Sequence, residues 1–243
     1  MKKIDAHAHL GNFGSWAGVE NTPQQLLRHM EEYEIEKTLL CSRDHMGNEQ
    51  VLQAFREYPE SFLPLVYLNP LEGLPTCQEK ISRYVDKEGF FGIKLNPLRH
   101  AYVADDLILD PIMEEAQRRQ IPVFIHSGHP PYSLPWSIAL LAERFPQVKV
   151  VMIHMGHGHG VYIDAALKMA KRYPNLYLEM SGMPMGVKIR QAYEEVAPDR
   201  ILFGTDSPFH HPSVEIQKVL TCGLGDTAME QIFYHNIKKL LGI

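Results

Sequence analysis

Residues 122–127 read PVFIHS, a short apolar run that ends in a histidine. Its form recurs. KKIDAHA (2–8), KTLLCS (37–42), FLPLVYLN (62–69), FFGIKLN (90–96), VKVVMIHM (148–155), LYLEMS (176–181) and RILFGTDS (200–207) are all brief and rich in Val, Ile, Leu and Phe. Such runs suit strands covered on both faces. Between them lie helix-length amphipathic stretches. TPQQLLRHMEEYE places Thr22 as a helix N-cap with Pro23 at the first helical position. TCQEKISRYVDKEG stops at Gly89, and DPIMEEAQRRQ starts on Asp110-Pro111. TAMEQIFYHNIKKLLGI closes the chain as a last helix. Eight β–α alternations without a linker predict one α/β domain over residues 1–243, a closed (β/α)8 TIM barrel. A doubly wound open sheet is the second choice. Its Gly-rich fingerprint is missing, since GHGHG at 156–160 lacks the required spacing.

In a barrel of this kind the chemistry sits at the C-terminal ends of the strands. The polar residues at those ends are His7 and His9 on the first, Lys94 on the fourth, His126 on the fifth, His154 on the sixth and Asp206 on the eighth. Thirteen histidines make one chance His-x-His pair unremarkable, and His157-Gly158-His159 is a second pair. What carries weight is that residues remote in sequence fall at one rim. His7 and His9, two apart on a strand, leave the same face. Two neutral imidazoles entering one mouth are half of a site for Zn2+, Fe2+ or Mn2+. A third imidazole and a carboxylate complete an open site that activates water. Asp206 can bind the cation and also take a proton. Each residue has a plainer alternative: a hydrogen-bonded structural histidine, an ion pair under a loop for Lys94, and a helix N-cap for Asp206.

The totals exclude other classes. A formal net charge of −5, with no basic run, argues against nucleic acid or an anionic membrane as partner. No stretch approaches 18 apolar residues, so no membrane span is expected. Cys41, Cys77 and Cys222 form no disulfide framework, which suits a reducing, cytoplasmic setting. No signal-peptide pattern opens the chain.

DAHAHLG, GFFGIKLNP, PVFIHSGHP, VMIHMG and ILFGTDSP, in that order, resemble the amidohydrolase superfamily. The resemblance is to the amidohydrolase-related (amidohydrolase 2) branch, which includes aminocarboxymuconate-semialdehyde decarboxylase. The ending IFYHNIKKLLGI also resembles that branch. The resemblance implies a (β/α)8 barrel in which His7, His9, His126 and Asp206 bind a catalytic divalent metal, zinc first, with manganese or iron as alternatives. It implies that His154 either holds a second metal or hydrogen-bonds substrate and water. Lys94 stands where binuclear members carry a bridging carbamylated lysine. The other reading is an ordinary ammonium that orients a substrate carboxylate. Many relatives have a histidine where this chain has Asn96.

Further candidates flank these strands. Arg99, His100 and Tyr102 could clamp an acidic group, and His129, His157 and His159 could line the pocket, as could His210 and His211. Trp16 with Phe13 could form a lid, whereas His29, His45 and His235 read as structural or exposed. Three functions follow. The first is a metal-dependent hydrolase of an amide, ester or lactone, with Asp206 moving the proton and His154 polarising the carbonyl. The alternative is a non-oxidative decarboxylase of an aromatic or unsaturated acid. The third is a non-catalytic metal-binding barrel, disfavoured because structural zinc prefers cysteine and none is read at these strand ends. The partner expected is a small molecule carrying a carboxylate; a homodimer is left open.

Overall fold

The computed structural model describes residues 1–15, 17–43 and 47–243, so Trp16 and His45 lie outside the described residues. Strands β1 (Lys3–His9), β4 (Ile35–Cys41), β5 (Phe62–Leu68), β6 (Gly92–Leu95), β7 (Val123–His126), β8 (Val150–Ile153), β9 (Leu176–Glu179) and β10 (Ile201–Leu202) form one sheet in sequence order. Every neighbouring pair within it is parallel. Each of these strands matches a predicted run. A short antiparallel hairpin, β2 (Gly11–Asn12) with β3 (Glu20–Asn21), was not predicted; two-residue strands leave no periodic signal.

The sheet closes on itself through the chain beyond β10. The Ala6 amide donates to Phe203 O (2.9 Å), the Asp206 amide to His7 O (2.7 Å) and the His9 amide to Ser207 O (2.8 Å). The expected strand 200–207 is regular only at Ile201–Leu202, because the segment bends to meet β1 and Asp206 adopts a positive φ of 54°.

Side-chain alternation sorts the core. On β7, Val123 and Ile125 belong to the layer between sheet and helices, while Phe124 belongs to the barrel interior with Leu63, Leu65, Val151, Ile153 and Leu202. His126 lies two residues beyond Phe124 and shares its inward face. Ile93 and Leu95 likewise face the helices, which turns Lys94 inward. Ile237 and Leu240 from the C-terminal helix Asn236–Leu241 join the interior set.

The predicted caps are in place. Thr22 forms a capping box with Gln25 at the start of helix Pro23–Glu32, and Gly89 has φ 76° just after the helical turn ending at Lys87. No helix among the described residues is long and apolar enough to cross a membrane.

Asn236 ties the last helix to the barrel. Its buried amide donates to Pro198 O and Ile201 O, both at 2.7 Å, at the entry to β10. Asn236→Ala leaves two interior carbonyls without a donor, and urea unfolding should show a loss of about 2 to 4 kcal/mol.

Candidate active site

Asp5 fixes the geometry at the seam. Its Oδ1 accepts from the amides of His7 (3.0 Å) and Thr205 (2.9 Å), and its Oδ2 from the Thr205 hydroxyl (2.6 Å). Burial pushes its carboxyl up to about 7 despite these donors. The seam sets Asp206 against the first strand. Asp206 Oδ1 lies 3.3 Å from His7 Nε2 and 3.3 Å from His9 Nε2. The two rings meet edge to face with centroids 4.6 Å apart. His7 Nε2 is buried and makes no hydrogen bond, although Asp206 is close. Asp206 does not cap a helix: the next one begins at Pro212 with His211 at its N-cap.

His154 joins this group, with its ring 5.4 Å from that of His7. Ligand atoms of His7, His154 and Asp206 all lie within 4.8 Å of one another. The predicted strand end at 154–155 is instead a tight turn, with φ of 69° at His154, 34° at Met155 and 58° at His157. Positive φ at residues other than glycine is strained and concentrates at functional sites. Here the turn presents His154, whose Nδ1 meets Ser181 O at 2.8 Å. His126 enters from β7, 4.9 Å ring to ring from His154, but its Nε2 bonds to His129 Nδ1 at 3.0 Å.

Charge states follow from burial. It lowers the imidazole of His7 well below its ordinary value and takes that of His154 down to about 3, so both are neutral bases at pH 7. The same burial lowers His126 well below the usual range, aided by the charges of His154 and Lys94. For Asp206 burial acts upward, but the adjacent His7 and His9 outweigh it and hold its carboxyl well below the usual range.

Lys94 is 1% exposed, and among the described residues its Nζ has no hydrogen-bond partner. No described residue makes with it an ion pair of the kind expected under a loop, and burial lowers its pKa. It lines a cavity of about 310 Å³ together with Arg43, His9, His126, His154 and Asp206. Asn96, His129, His157 and His210 also border this cavity. A more open hollow of about 500 Å³ lies beside it, between the hairpin and residues 207–211; it contains His29 and His211 but none of His7, His9, His126 or His154. The smaller one holds Lys94, Asp206 and the strand-end histidines His9, His126 and His154.

Two expected substrate residues are displaced. Tyr102 is 4% exposed within the hydrophobic core, because Ala101 takes a left-handed conformation (φ 56°) that ends the helical turn Pro97–His100 and swings Tyr102 inward. Arg99 is exposed and lines a neighbouring groove with Arg43. His100 is bonded to the Tyr67 hydroxyl (2.8 Å). Three residues were missed. Arg43 lies two positions beyond the end of β4, stacked 4.8 Å from the Phe209 ring centroid. Cys41 ends β4, and its Sγ lies 3.4 Å from His9 Nδ1, contrary to the expectation that no cysteine stands at these strand ends. Glu179 ends β9 as a polar residue after an apolar run, the same signal that singled out His126. Its carboxyl accepts from the Ser181 amide (2.6 Å) and hydroxyl (2.8 Å) and from the His154 amide (3.2 Å).

The amidohydrolase family model matches residues 41–243. A gamma-resorcylate decarboxylase of Rhizobium sp. (strain MTP-10005) is 24% identical over 68% of this chain and 65% of that protein. The 2-amino-3-carboxymuconate-6-semialdehyde decarboxylase of Dictyostelium discoideum is 24% identical over 67% of this chain and 55% of its own length. The chain thus spans less than two thirds of either curated relative. Among solved structures, 2,6-dihydroxybenzoate decarboxylase from Rhizobium superposes with a TM-score of 0.80 at 18% identity, covering 100% of this chain and 99% of that one. Dihydroxybenzoic acid decarboxylase from Polaromonas sp. JS666, with bound manganese and 2-nitroresorcinol, gives 0.75 at 19% identity, covering 99% and 97%. At these identities the structures establish the shared barrel fold.

Burial raises Glu179 from 4.5 to about 8. A raised folded-state pKa gives a contribution that is full below the unfolded value and is lost as pH rises through the folded one. Relative to Glu179→Gln, the wild-type melting temperature should therefore fall between pH 4.5 and about 8. Gly204→Ala would put a Cβ 2.3 Å from Glu179 Oε1. Calorimetry should show a loss of about 1 to 3 kcal/mol as that carboxyl is displaced.

Proposed function

This chain belongs to the amidohydrolase family, and we propose that it is a metal-dependent decarboxylase that releases CO2 from a small aromatic or unsaturated carboxylic acid. The observation that carries the proposal is the Lys94 amine, buried, without a hydrogen-bond partner among the described residues and in the same cavity as Asp206 and the imidazoles of His9, His126 and His154. A buried ammonium without a hydrogen-bond partner is costly, and a substrate carboxylate offsets that cost. Arg43, in the same cavity, offers a fork for the same group. Lys94 acts here as an ammonium and not as a carbamate. The decarboxylases among the relatives support this reading over hydrolysis of an amide, ester or lactone.

The donor set fits a divalent cation. His7 Nε2 is buried without a hydrogen bond, His9 Nε2 converges on the same Asp206 oxygen, and imidazole with carboxylate suits zinc, manganese or iron. We assign the cation to His7, His9 and Asp206, with His126 exchanging its bond to His129 to complete the set. Zinc is the ion proposed; manganese in related decarboxylase structures makes it the alternative to test. When bound, the cation supplies Lewis-acid stabilisation of negative charge on substrate oxygens.

The chain's own groups do the rest. Lys94 and Arg43 orient the carboxylate. His154, neutral and with its Nδ1 proton given to Ser181 O, turns a bare Nε2 that accepts from a substrate hydroxyl. Departure of CO2 leaves an electron pair on carbon, which takes a proton. Asp206, whose side chain is 13% exposed and in reach of cavity water, relays that proton. Phe209 and the ring faces of His126 and His129 bound a slot suited to a planar acid.

Metal-loaded protein incubated with hydroxybenzoates and unsaturated dicarboxylates should release CO2 from at least one. Hydrolysis of lactones or amides without CO2 release from any acid would return the reading to a hydrolase. His7→Ala and Asp206→Ala should lower bound metal and abolish turnover. His154→Ala should keep its metal and lose about 100-fold or more in kcat. Lys94→Met should raise KM by about 10- to 100-fold, the worth of one charge-assisted bond.

A further inference from the structure

Cys41 lies behind the imidazoles, on the side away from Asp206. It is the Cα partner of His9 in the β1–β4 ladder, so the sheet register itself sets it beside the two histidines. Its Sγ lies 3.8 Å from His7 Nδ1 and 3.4 Å from His9 Nδ1, and it donates to Ala8 O at 3.7 Å. Its backbone carbonyl lies 3.1 Å from His9 Nδ1. The side chain is fully buried.

We propose that Cys41 is a positioning residue for the metal centre: its carbonyl takes the Nδ1 proton of His9, its sulfur takes the Nδ1 proton of His7, and both Nε2 lone pairs are thereby aimed at the cation beside Asp206. This rests on the assignment of His7 and His9 as metal ligands. The donors and acceptors balance. The thiol proton goes to Ala8 O, which leaves the sulfur lone pairs free to accept. The His9 Nδ1 proton has the carbonyl, a better acceptor than sulfur, and the His7 Nδ1 proton has the sulfur. With the cation bound, both rings carry hydrogen on Nδ1 and none on Nε2, the state in which Nε2 can bind a metal. A ligating histidine usually hands its other N–H to a carboxylate, carbonyl or water, and loss of such a partner costs about 10- to 100-fold in metal affinity. Here one residue serves two ligands, and for His7 the acceptor is a thiol. The buried, unbonded Nε2 of His7 is the independent sign that its opposite nitrogen must be fixed.

The test uses the full-length chain labelled with 15N at histidine. In zinc-loaded wild type, the His7 and His9 ring nitrogens should report hydrogen on Nδ1 and a metal-bound Nε2. In Cys41→Ala, His7 should shift toward a mixture of tautomers while His9, which keeps its carbonyl partner, stays unchanged. Manganese-loaded Cys41→Ala should release its metal to a chelator about 10- to 100-fold faster than wild type. A residue that only fills space would lower the melting temperature and move neither reading, and that result overturns the proposal. A shift of both rings together would overturn the division of labour between sulfur and carbonyl. If Cys41→Ala does not fold, Cys41→Ser decides in its place, its shorter arm giving a smaller shift of His7 in the same direction. If His7→Ala and Asp206→Ala hold as much metal as wild type, the ligand assignment has failed and the role of Cys41 falls with it; if both lose metal while the His7 ring of Cys41→Ala is unmoved, only the role of Cys41 is overturned.

Discussion

The seam between the first and last strands is the constraint on which the site depends. Three backbone hydrogen bonds and the Asp5 carboxylate join β1 to residues 203–207. Asp5 and Thr205 are 200 residues apart in the chain, so a contact of this kind is supported only by completion of the whole barrel. With it, His7 and His9 on one side and Asp206 on the other are brought within 3.3 Å. The proposed ligand set is a consequence of closure. The positive φ at Asp206 marks where the backbone is bent to reach it.

Burial of charge is the second theme. The interior holds Lys94, Asp5, Glu179 and several imidazoles, each nearly or fully covered. The carboxyls away from the cavity are satisfied: Asp5 and Glu179 accept three hydrogen bonds each. At the cavity, Lys94 Nζ and His7 Nε2 are left without hydrogen bonds. Most buried polar groups in a folded protein are bonded, so two exceptions beside one cavity support the proposed ligand site. Other buried atoms without hydrogen bonds, such as the Tyr102 hydroxyl and Thr38 Oγ1, lie away from the cavity; Lys94 Nζ and His7 Nε2 are the ones beside Asp206 and the strand-end imidazoles.

The barrel strands were legible because strands packed on both faces must be short, apolar and separated by amphipathic helices. The strand-end rule also located His7, His9, Lys94, His126, His154 and Asp206 around one mouth. It failed at Tyr102, where a single left-handed residue, Ala101, sends the side chain into the core. It was applied too narrowly at Glu179 and Cys41, which also end their strands. Arg43 lay two residues beyond the strict end of a strand and was passed over for that reason.

The amino-acid sequence by itself determined the layered α/β architecture, the inward face of each strand and the residue types at the rim, because hydrophobic periodicity is local. Only the tertiary structure decided which nitrogen of each imidazole faces Asp206, that His126 is bonded to His129, and that Lys94 Nζ is buried without a hydrogen-bond partner among the described residues. Those facts depend on register between strands, on backbone turns of positive φ and on the desolvation of groups far apart in the chain. None of them is written in any local window.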